Sequence, residues 1–255
     1  MPGLLFEIFE DPKRVDAAYA RQYDNLAREF AALLPSRALL AEVGCGKGQL
    51  TIPLAKLRPR YRFEVVDTFS GRDAGTQSQL KRAILRARLR SRVETYKMDY
   101  LDWMDDEYSD KYSAVISSEF LPEIDSYELK IFLPECYRVL RSGGRTVHSF
   151  LSPTPRNLRQ RLLIEAATDA RWTTIPPKEW FSPRPSLVVS KLKRSGFRSV
   201  RVKRVKSNLI LRSSAARRLL ETWNVKSSFW RKHKDRLVTD GLELPDWLII
   251  SGSKL

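Results

Sequence analysis

The chain predicts a doubly wound α/β fold, a mainly parallel sheet wrapped by helices, with a helical insertion near the C-terminus. Three observations predict it. Short apolar runs alternate with helical periodicity from Ala38 to Leu151. A glycine cluster, Gly44-x-Gly46-x-Gly48, stands where the first run stops and a helix opens. Acidic residues then recur at the carboxyl ends of the later runs, which is where sheets of this kind bind ligands.

The elements follow in order. Val15, Tyr19, Leu26, Phe30 and Leu33 form one stripe of an amphipathic helix from Pro12 to Leu33, closed by Pro35 and Ser36. Ala38–Val43 is a buried strand, and Gln49–Leu57 a helix with Pro53 near its first turn. Arg62–Asp67 is the second strand. Leu80, Ala83, Ile84 and Ala87 give the next helix, Gln77–Arg90, its apolar face. Arg92–Lys97 and Ser113–Ser118 are the third and fourth strands, separated by an acidic loop, Asp102 to Asp110. Tyr127–Leu140 reads as a helix with Ser142-Gly143-Gly144 as its C-cap, ahead of a fifth strand, Arg145–Leu151. Beyond Ser152 prolines punctuate the chain. Helices are expected at Leu158–Ala170 and Ser186–Ser195, and strands at Ser199–Lys206, Asn208–Leu211 and Asp246–Gly252. Two more helices, Ala215–Trp223 and Ser227–Val238, form an insertion over about 213–244. The expected organisation is a single domain over 1–255. Residues 1–36 are a helical lid, 37–152 the ligand-binding core, and 153–255 the substrate side.

Composition narrows the function. Hydrophobic residues make up 42% of the 255, ordinary globular usage that argues against disorder. No apolar run is long enough to span a membrane, and the first residues lack the basic start of a secretory signal. Cys45, Cys136, His148 and His233 are the only cysteines and histidines, too few for a disulfide framework or a zinc site, so no metal is expected and a reducing, cytoplasmic setting is. The terminal Ser253-Lys254-Leu255 matches a peroxisomal address and also the tail of a last strand. The net charge of +16 is unevenly placed: Met1–Phe150 carries 23 cationic against 22 acidic residues, Leu151–Leu255 23 against 8. A surplus confined to one part points to an anionic partner of that part.

The informative segment is Glu42-Val43-Gly44-Cys45-Gly46-Lys47-Gly48. Glycine permits a tight turn that lets a ligand lie on bare backbone, and a helix N-terminus offers free N–H groups. The spacing is neither the dinucleotide fingerprint nor a P-loop. Asp67, ending the second strand, can accept from both hydroxyls of a ribose. Asp99, flanked by Met98 and Tyr100 at the end of the third, can accept from an exocyclic amine while its neighbours sandwich the ring. The fourth ends in Ser117-Ser118-Glu119-Phe120, where a reactive group would sit.

AEVGCGKGQLT, VVDTFSG, YKMDY, AVISSEF and ECYRVLRSGGR, in that order, resemble the class I methyltransferases that use S-adenosylmethionine. The resemblance covers Leu39 to Ser152 well and implies a Rossmann-like, mainly parallel seven-stranded sheet with an antiparallel last strand. Carried over, it implies that Glu42, Gly44, Cys45, Gly46 and Gly48 line the methionine part of the cofactor. Asp67 would hold the ribose, Asp99 with Met98 and Tyr100 the adenine. Ser118 and Glu119 would face the sulfonium, with Glu119 as positioning group or base. Tyr19 and Tyr23, on the first helix, would lid the site.

Methyl transfer from a sulfonium is an in-line displacement in which the protein aligns the partners and excludes water. The fourth strand lacks the Asn/Asp-Pro-Pro-Tyr/Phe ending of family members that methylate exocyclic base amines, and neither cysteine follows a proline at a strand end. Both cysteines read as packing, His148 as a core histidine and His233 as a surface residue. The basic residues of 191–236, interleaved with Trp223, Phe229 and Trp230, fit two acceptors. One is a small or lipid-like molecule, anionic by the charge around it. The other is RNA held by its phosphates. A catalytically silent cofactor- or nucleic-acid-binding module is the third reading.

Overall fold

The computed structural model describes residues 12–70, 75–169 and 183–255. Helix α1 spans Pro12–Leu33 and strand β1 Ala38–Val43. Then come α2 (Thr51–Leu57), β2 (Tyr61–Asp67), α3 (Thr76–Arg86), β3 (Val93–Lys97), α4 (Tyr100–Asp105), β4 (Tyr112–Ser118), α5 (Glu128–Val139) and β5 (Leu140–Leu151). The remainder is α6 (Leu158–Asp169), α7 (Pro185–Arg194), β6 (Arg198–Val205), β7 (Ile210–Leu211), α8 (Ser213–Thr222), α9 (Ser227–Thr239), β8 (Leu242–Glu243) and β9 (Trp247–Ser253). Seven strands form one sheet in the order β3-β2-β1-β4-β5-β9-β6, and β9 is antiparallel. The order reverses between β1 and β4, the switch point beside which such sheets bind ligands.

The backbone divides into two compact units. One comprises Tyr23–Ser149, Pro185–Lys203 and Ile249–Leu255. Its centre is β1 paired in parallel to β2 and β4, with Leu40 opposite Phe63 and Ala114. Strands covered on both faces read as continuous apolar runs. Leu40, Val43, Val115 and Ile116 accordingly lose all exposure. Leu26 and Phe30, from the stripe on α1, are equally buried. The other unit comprises Met1–Gln22, Phe150–Arg184 and Arg204–Leu248. It holds α6, α8, α9 and the two-stranded antiparallel ladder β7–β8, in which Ile210 faces Glu243 and Leu211 faces Leu242. Trp223 is buried there, and two buried carboxylates, Glu243 and Asp246, are gripped by α6 and the turn before it. Arg156 reaches both, at 2.8 and 3.1 Å, and Gln160 donates to both, at 3.0 and 2.9 Å. Buried charges need such partners, because an unpaired one costs several kcal/mol.

Four details differ from the sequence reading. The acidic stretch after Met98 is not all loop: Asp99 caps α4, its Oδ1 accepting from the Leu101 amide at 2.8 Å, and Trp103 and Met104 bury the helix. A capping aspartate followed by buried apolar residues is a helix start, and the acidic run masked it. Ser142-Gly143-Gly144 does not cap α5. Leu140 is already extended, and the glycines lie inside β5, where its pairing with β4 shifts register between Tyr112 and Ala114. The third strand ends at Lys97, as the run Arg92–Lys97 predicts, so Asp99, read as standing at its end, lies two residues beyond it. His233 is not a surface residue. It is 8% exposed, its ring tilts over Phe229 at 4.6 Å, and burial lowers its pKa.

Candidate active site

The carboxyl ends of β3, β2, β1 and β4 lie side by side, because Asp67 faces Lys97, Val43 faces Val66 and Glu42 faces Ile116. The glycine loop leaves β1 at this edge. Gly44, Gly46 and Gly48 all have positive φ, 71°, 48° and 81°. A β-carbon on Gly44 would lie 2.8 Å from the Phe120 ring, and one on Gly48 2.5 Å from Leu80 Cδ1. Backbone conformation disfavours a side chain at both positions, and at Gly44 the Phe120 Cβ and ring stand in its way as well.

The loop's amides are largely spent within the protein. Gly44 and Cys45 donate to the Val66 carbonyl, at 3.0 and 3.4 Å, and Gly48 to the Cys45 carbonyl, at 2.8 Å. Gly46 donates to Asp67 Oδ2 at 2.9 Å, and Phe69 donates to Asp67 Oδ1 at 2.7 Å. Asp67 therefore ties the end of β2 to the loop after β1. The sequence expectation of an open amide cradle gives way to a loop whose shape is fixed in advance.

Glu42 is 2% exposed and accepts from the Thr51 hydroxyl at 2.8 Å. Burial pushes its pKa up to about 8; the Thr51 bond pulls it back, and the nearby Asp67 carboxylate adds to the rise. Glu42 is thus protonated at neutral pH while no cation lies beside it. Across the sheet, Glu119 follows β4 with a φ of 59°, uncommon for a non-glycine residue. Its amide donates to the Ser149 carbonyl at 2.7 Å, and the Tyr23 hydroxyl donates to Glu119 Oε2 at 2.9 Å. Ser118 Oγ accepts from Ser149 Oγ at 2.8 Å.

The structure thus brings Glu42, Gly44, Cys45, Gly46, Gly48, Asp67, Ser118, Glu119 and Tyr23 to one edge. Asp99 and half-buried Met98 follow β3 there. Tyr100 is turned away from Asp99. Its ring packs edge-on against Phe120 at 4.9 Å and Phe132 at 5.5 Å, so the two-sided sandwich read from sequence keeps Met98 alone as its exposed member. The Tyr100 hydroxyl is buried without a hydrogen-bond partner among the described residues. Tyr19 lies in α1, and its side chain falls outside the described residues. Cys45 and Cys136 are buried and form no disulfide. His148 is fully buried between Ser117 Oγ at 2.8 Å and Thr146 Oγ1 at 2.6 Å, and burial lowers its pKa to about 3. It is a neutral core histidine. Among the described residues no cluster of His, Cys, Asp and Glu could hold a metal.

Sequence reasoning missed Tyr23's specific partner and Thr51. A tyrosine on an amphipathic stripe signals packing as readily as a hydrogen bond, and Thr51 sits nine residues from the carboxylate it meets.

This strand order, glycine loop and acidic edge define the S-adenosylmethionine-dependent methyltransferase fold of class I. Residues 40–144 match the model of the methyltransferase domain family. A S-adenosylmethionine-dependent methyltransferase from Archaeoglobus fulgidus superposes with a TM-score of 0.60 at 16% identity, over 92% of this chain and 94% of that one. A putative methyltransferase from Bacillus halodurans C-125 gives 0.58 at 16% identity, over 91% and 98%. The [4+2]-cyclase SpnF gives 0.59 at 15% identity, over 91% and 80%. At these identities the likeness is one of fold. No curated protein matches the chain by sequence.

The residues present fit the family's cofactor, S-adenosylmethionine. The ligand is cationic at its sulfonium and ammonium and carries a ribose diol and an amine. The edge offers acceptors, Glu42, Asp67, Asp99 and Glu119, and a loop with three glycines at positive φ, Gly44, Gly46 and Gly48.

Proposed function

We propose that the chain transfers a methyl group from S-adenosylmethionine to a small or lipid-like, anionic acceptor. The observation that carries the cofactor half is the Gly46–Asp67 bond, which sets the loop and the ribose-binding carboxylate in one rigid piece. Bound there, S-adenosylmethionine supplies the activated methyl group, so the protein's task is alignment and exclusion of water. Gly44, Gly46 and Gly48 give the methionine part a surface free of side chains. Glu42 would serve the ligand's positive end as an acceptor, and a cation bound beside it would lower its pKa and favour the ionised form, its proton passing to solvent. A carboxylate has about four acceptor sites, so Asp67 can hold the loop and accept from a ribose as well. Asp99 takes the amine of the base, with Met98 against the ring. Ser118 and Glu119 face the methyl. Tyr23 holds Glu119 in place, where it orients the acceptor or takes its proton.

The acceptor reading is supported by a recess between α8 and α9 with a volume of about 900 Å³, within the range of small-ligand sites. Trp230, Leu237 and Val238 give it apolar lining, and Arg218, Arg231 and Lys234 give it positive charge. The second reading, RNA, is favoured by Lys193, Arg194, Arg198 and Arg201, which are exposed and unpaired among the described residues. We further propose one methyltransferase domain and a reducing cytoplasmic location, supported by two buried cysteines that form no disulfide. No helix among the described residues is long and apolar enough to cross a membrane.

Calorimetric titration with S-adenosylmethionine tests the cofactor half. The wild type binds, and Gly46→Arg and Asp67→Ala do not; wild-type affinity in both variants overturns the site. RNA affinity that falls steeply with salt, together with methyl transfer to RNA, replaces the small acceptor with the second reading.

A further inference from the structure

The strands have a second end. At their amino ends, on the side away from the glycine loop, a recess of about 680 Å³ is lined by Arg37, Arg60, Arg62 and Arg141, with Lys111 and Ser113. The register explains the convergence. Ala38 faces Tyr61 and Leu39 faces Arg62, so Arg37 and Arg60 precede paired residues on β1 and β2. Tyr112 faces Leu140, which brings the start of β4 beside Arg141.

The charge in this recess is uncompensated. Lys111 is neutralised by Glu64 at 2.8 Å and Glu107 at 2.7 Å. The four arginines are exposed, and their guanidinium groups have no hydrogen-bond or ion-pair partner among the described residues. No carboxylate lines the recess. The neighbouring recess along β3 differs: it mixes Glu64 and Glu94 with its cations, and its Arg92 is tied to the carbonyls of Ala55, Arg58, Pro59 and Tyr61. The Arg92 guanidinium of that recess is thus spent on backbone carbonyls, whereas here four forks line one cavity without a carboxylate among them.

We propose that this amino-end recess binds a ligand presenting two or more phosphates close together. A guanidinium fork matches phosphate geometry and stays charged at every physiological pH. A single carboxylate cannot balance four such groups, whereas adjacent phosphates supply both the charge and two or three non-bridging acceptor oxygens each. The Ser113 hydroxyl at the recess adds a neutral donor or acceptor. The chemistry is the same in a free polyphosphate and in a nucleic-acid backbone. The proposal is independent of the acceptor, because the recess lies at the opposite end of the strands from the methyl-transfer edge.

The test uses the full chain, with pyrophosphate and a single-stranded RNA oligonucleotide as separate calorimetric probes. The variants are Arg60→Glu/Arg62→Glu and, on the exposed face of α3, the charge-matched control Arg82→Glu/Arg86→Glu. The recess variant is expected to lose about tenfold or more in affinity, the control less than about twofold, because neither Arg82 nor Arg86 lines the recess. Unchanged S-adenosylmethionine binding and circular dichroism confirm that each variant is folded. Selective loss with pyrophosphate assigns a free polyphosphate, and selective loss with RNA alone assigns a backbone. Failure of both probes to bind, or equal losses in the two variants, overturns the proposal and leaves only the general positive field.

Discussion

The two ends of the same sheet carry opposite chemistry. The carboxyl ends gather Glu42, Asp67, Asp99 and Glu119, and all but Asp99 are held by partners from other segments: Thr51, the Gly46 and Phe69 amides, and Tyr23. The amino ends gather Arg37, Arg60, Arg62 and Arg141, with no partners at all among the described residues. Net charge over the first 150 residues is close to zero, so a count along the chain sees neutrality. Folding sorts those charges along the strand axis. A segment's net charge therefore speaks to its average field and says nothing of its poles.

The largest expected effect breaks the acidic end. Asp67→Ala removes the acceptor of two loop amides, and Gly46→Arg fills the loop; calorimetry is expected to show S-adenosylmethionine affinity below detection in both. Next comes pH. Glu42 has a folded pKa of about 8 against an ordinary 4.5, so the native state binds the extra proton. Its stabilising contribution is full below about 4.5 and is lost as pH rises towards and through 8. Glu42→Gln keeps the Thr51 bond and cannot ionise. Chemical denaturation from pH 5 to 9 should show the wild type losing on the order of a few kcal/mol relative to this variant. A flat difference would place Glu42 in a wetter setting than its 2% exposure indicates.

Gly44→Ala should cost about 2 kcal/mol in thermal or urea unfolding, from positive φ and the approach to Phe120. Tyr23→Phe removes one donor to a half-buried carboxylate and should cost about 1 kcal/mol. Its sharper signature is a fall in kcat with little change in S-adenosylmethionine affinity, which separates positioning of Glu119 from simple packing. The smallest effect lies at the other pole. Arg37→Ala and Arg141→Ala should change stability by no more than about 0.5 kcal/mol. Clear stabilisation would mean that mutual repulsion there is larger than exposure suggests.

The acidic pole was legible in sequence because its parts are ordered by the chain itself. A glycine cluster after an apolar run, and an acid after each following run, place themselves at one edge once the sheet is parallel. The arginine pole was not. Arg37 and Arg60 precede strands and Arg62 and Arg141 stand second in theirs, where no spacing rule holds, and they lie apart in sequence until Ala38 pairs with Tyr61 and Tyr112 with Leu140. Local context explains the other misses. Asp99 looked like a strand end because α4 is short and acidic, and Ser142-Gly143-Gly144 looked like a stop because glycine serves both caps and strand irregularities. The direction of the Tyr100 ring was beyond the reach of sequence. The aromatic group of Phe120 and Phe132 decides it, and those residues come from two later elements.

The small ladder between β7 and β8 has a consequence for how such a chain changes over time. Ile210 and Leu211 lie against Glu243 and Leu242, and the Leu244 amide donates to the Leu209 carbonyl at 2.9 Å, so residues 212–241 leave and return at one doorway. Whatever is threaded through that doorway can lengthen, shorten or be exchanged at little entropic cost. The hairpin of α8 and α9 is in this sense a cartridge: its replacement by a tight turn is a single cloning step that asks whether the protein's choice of acceptor resides in those residues.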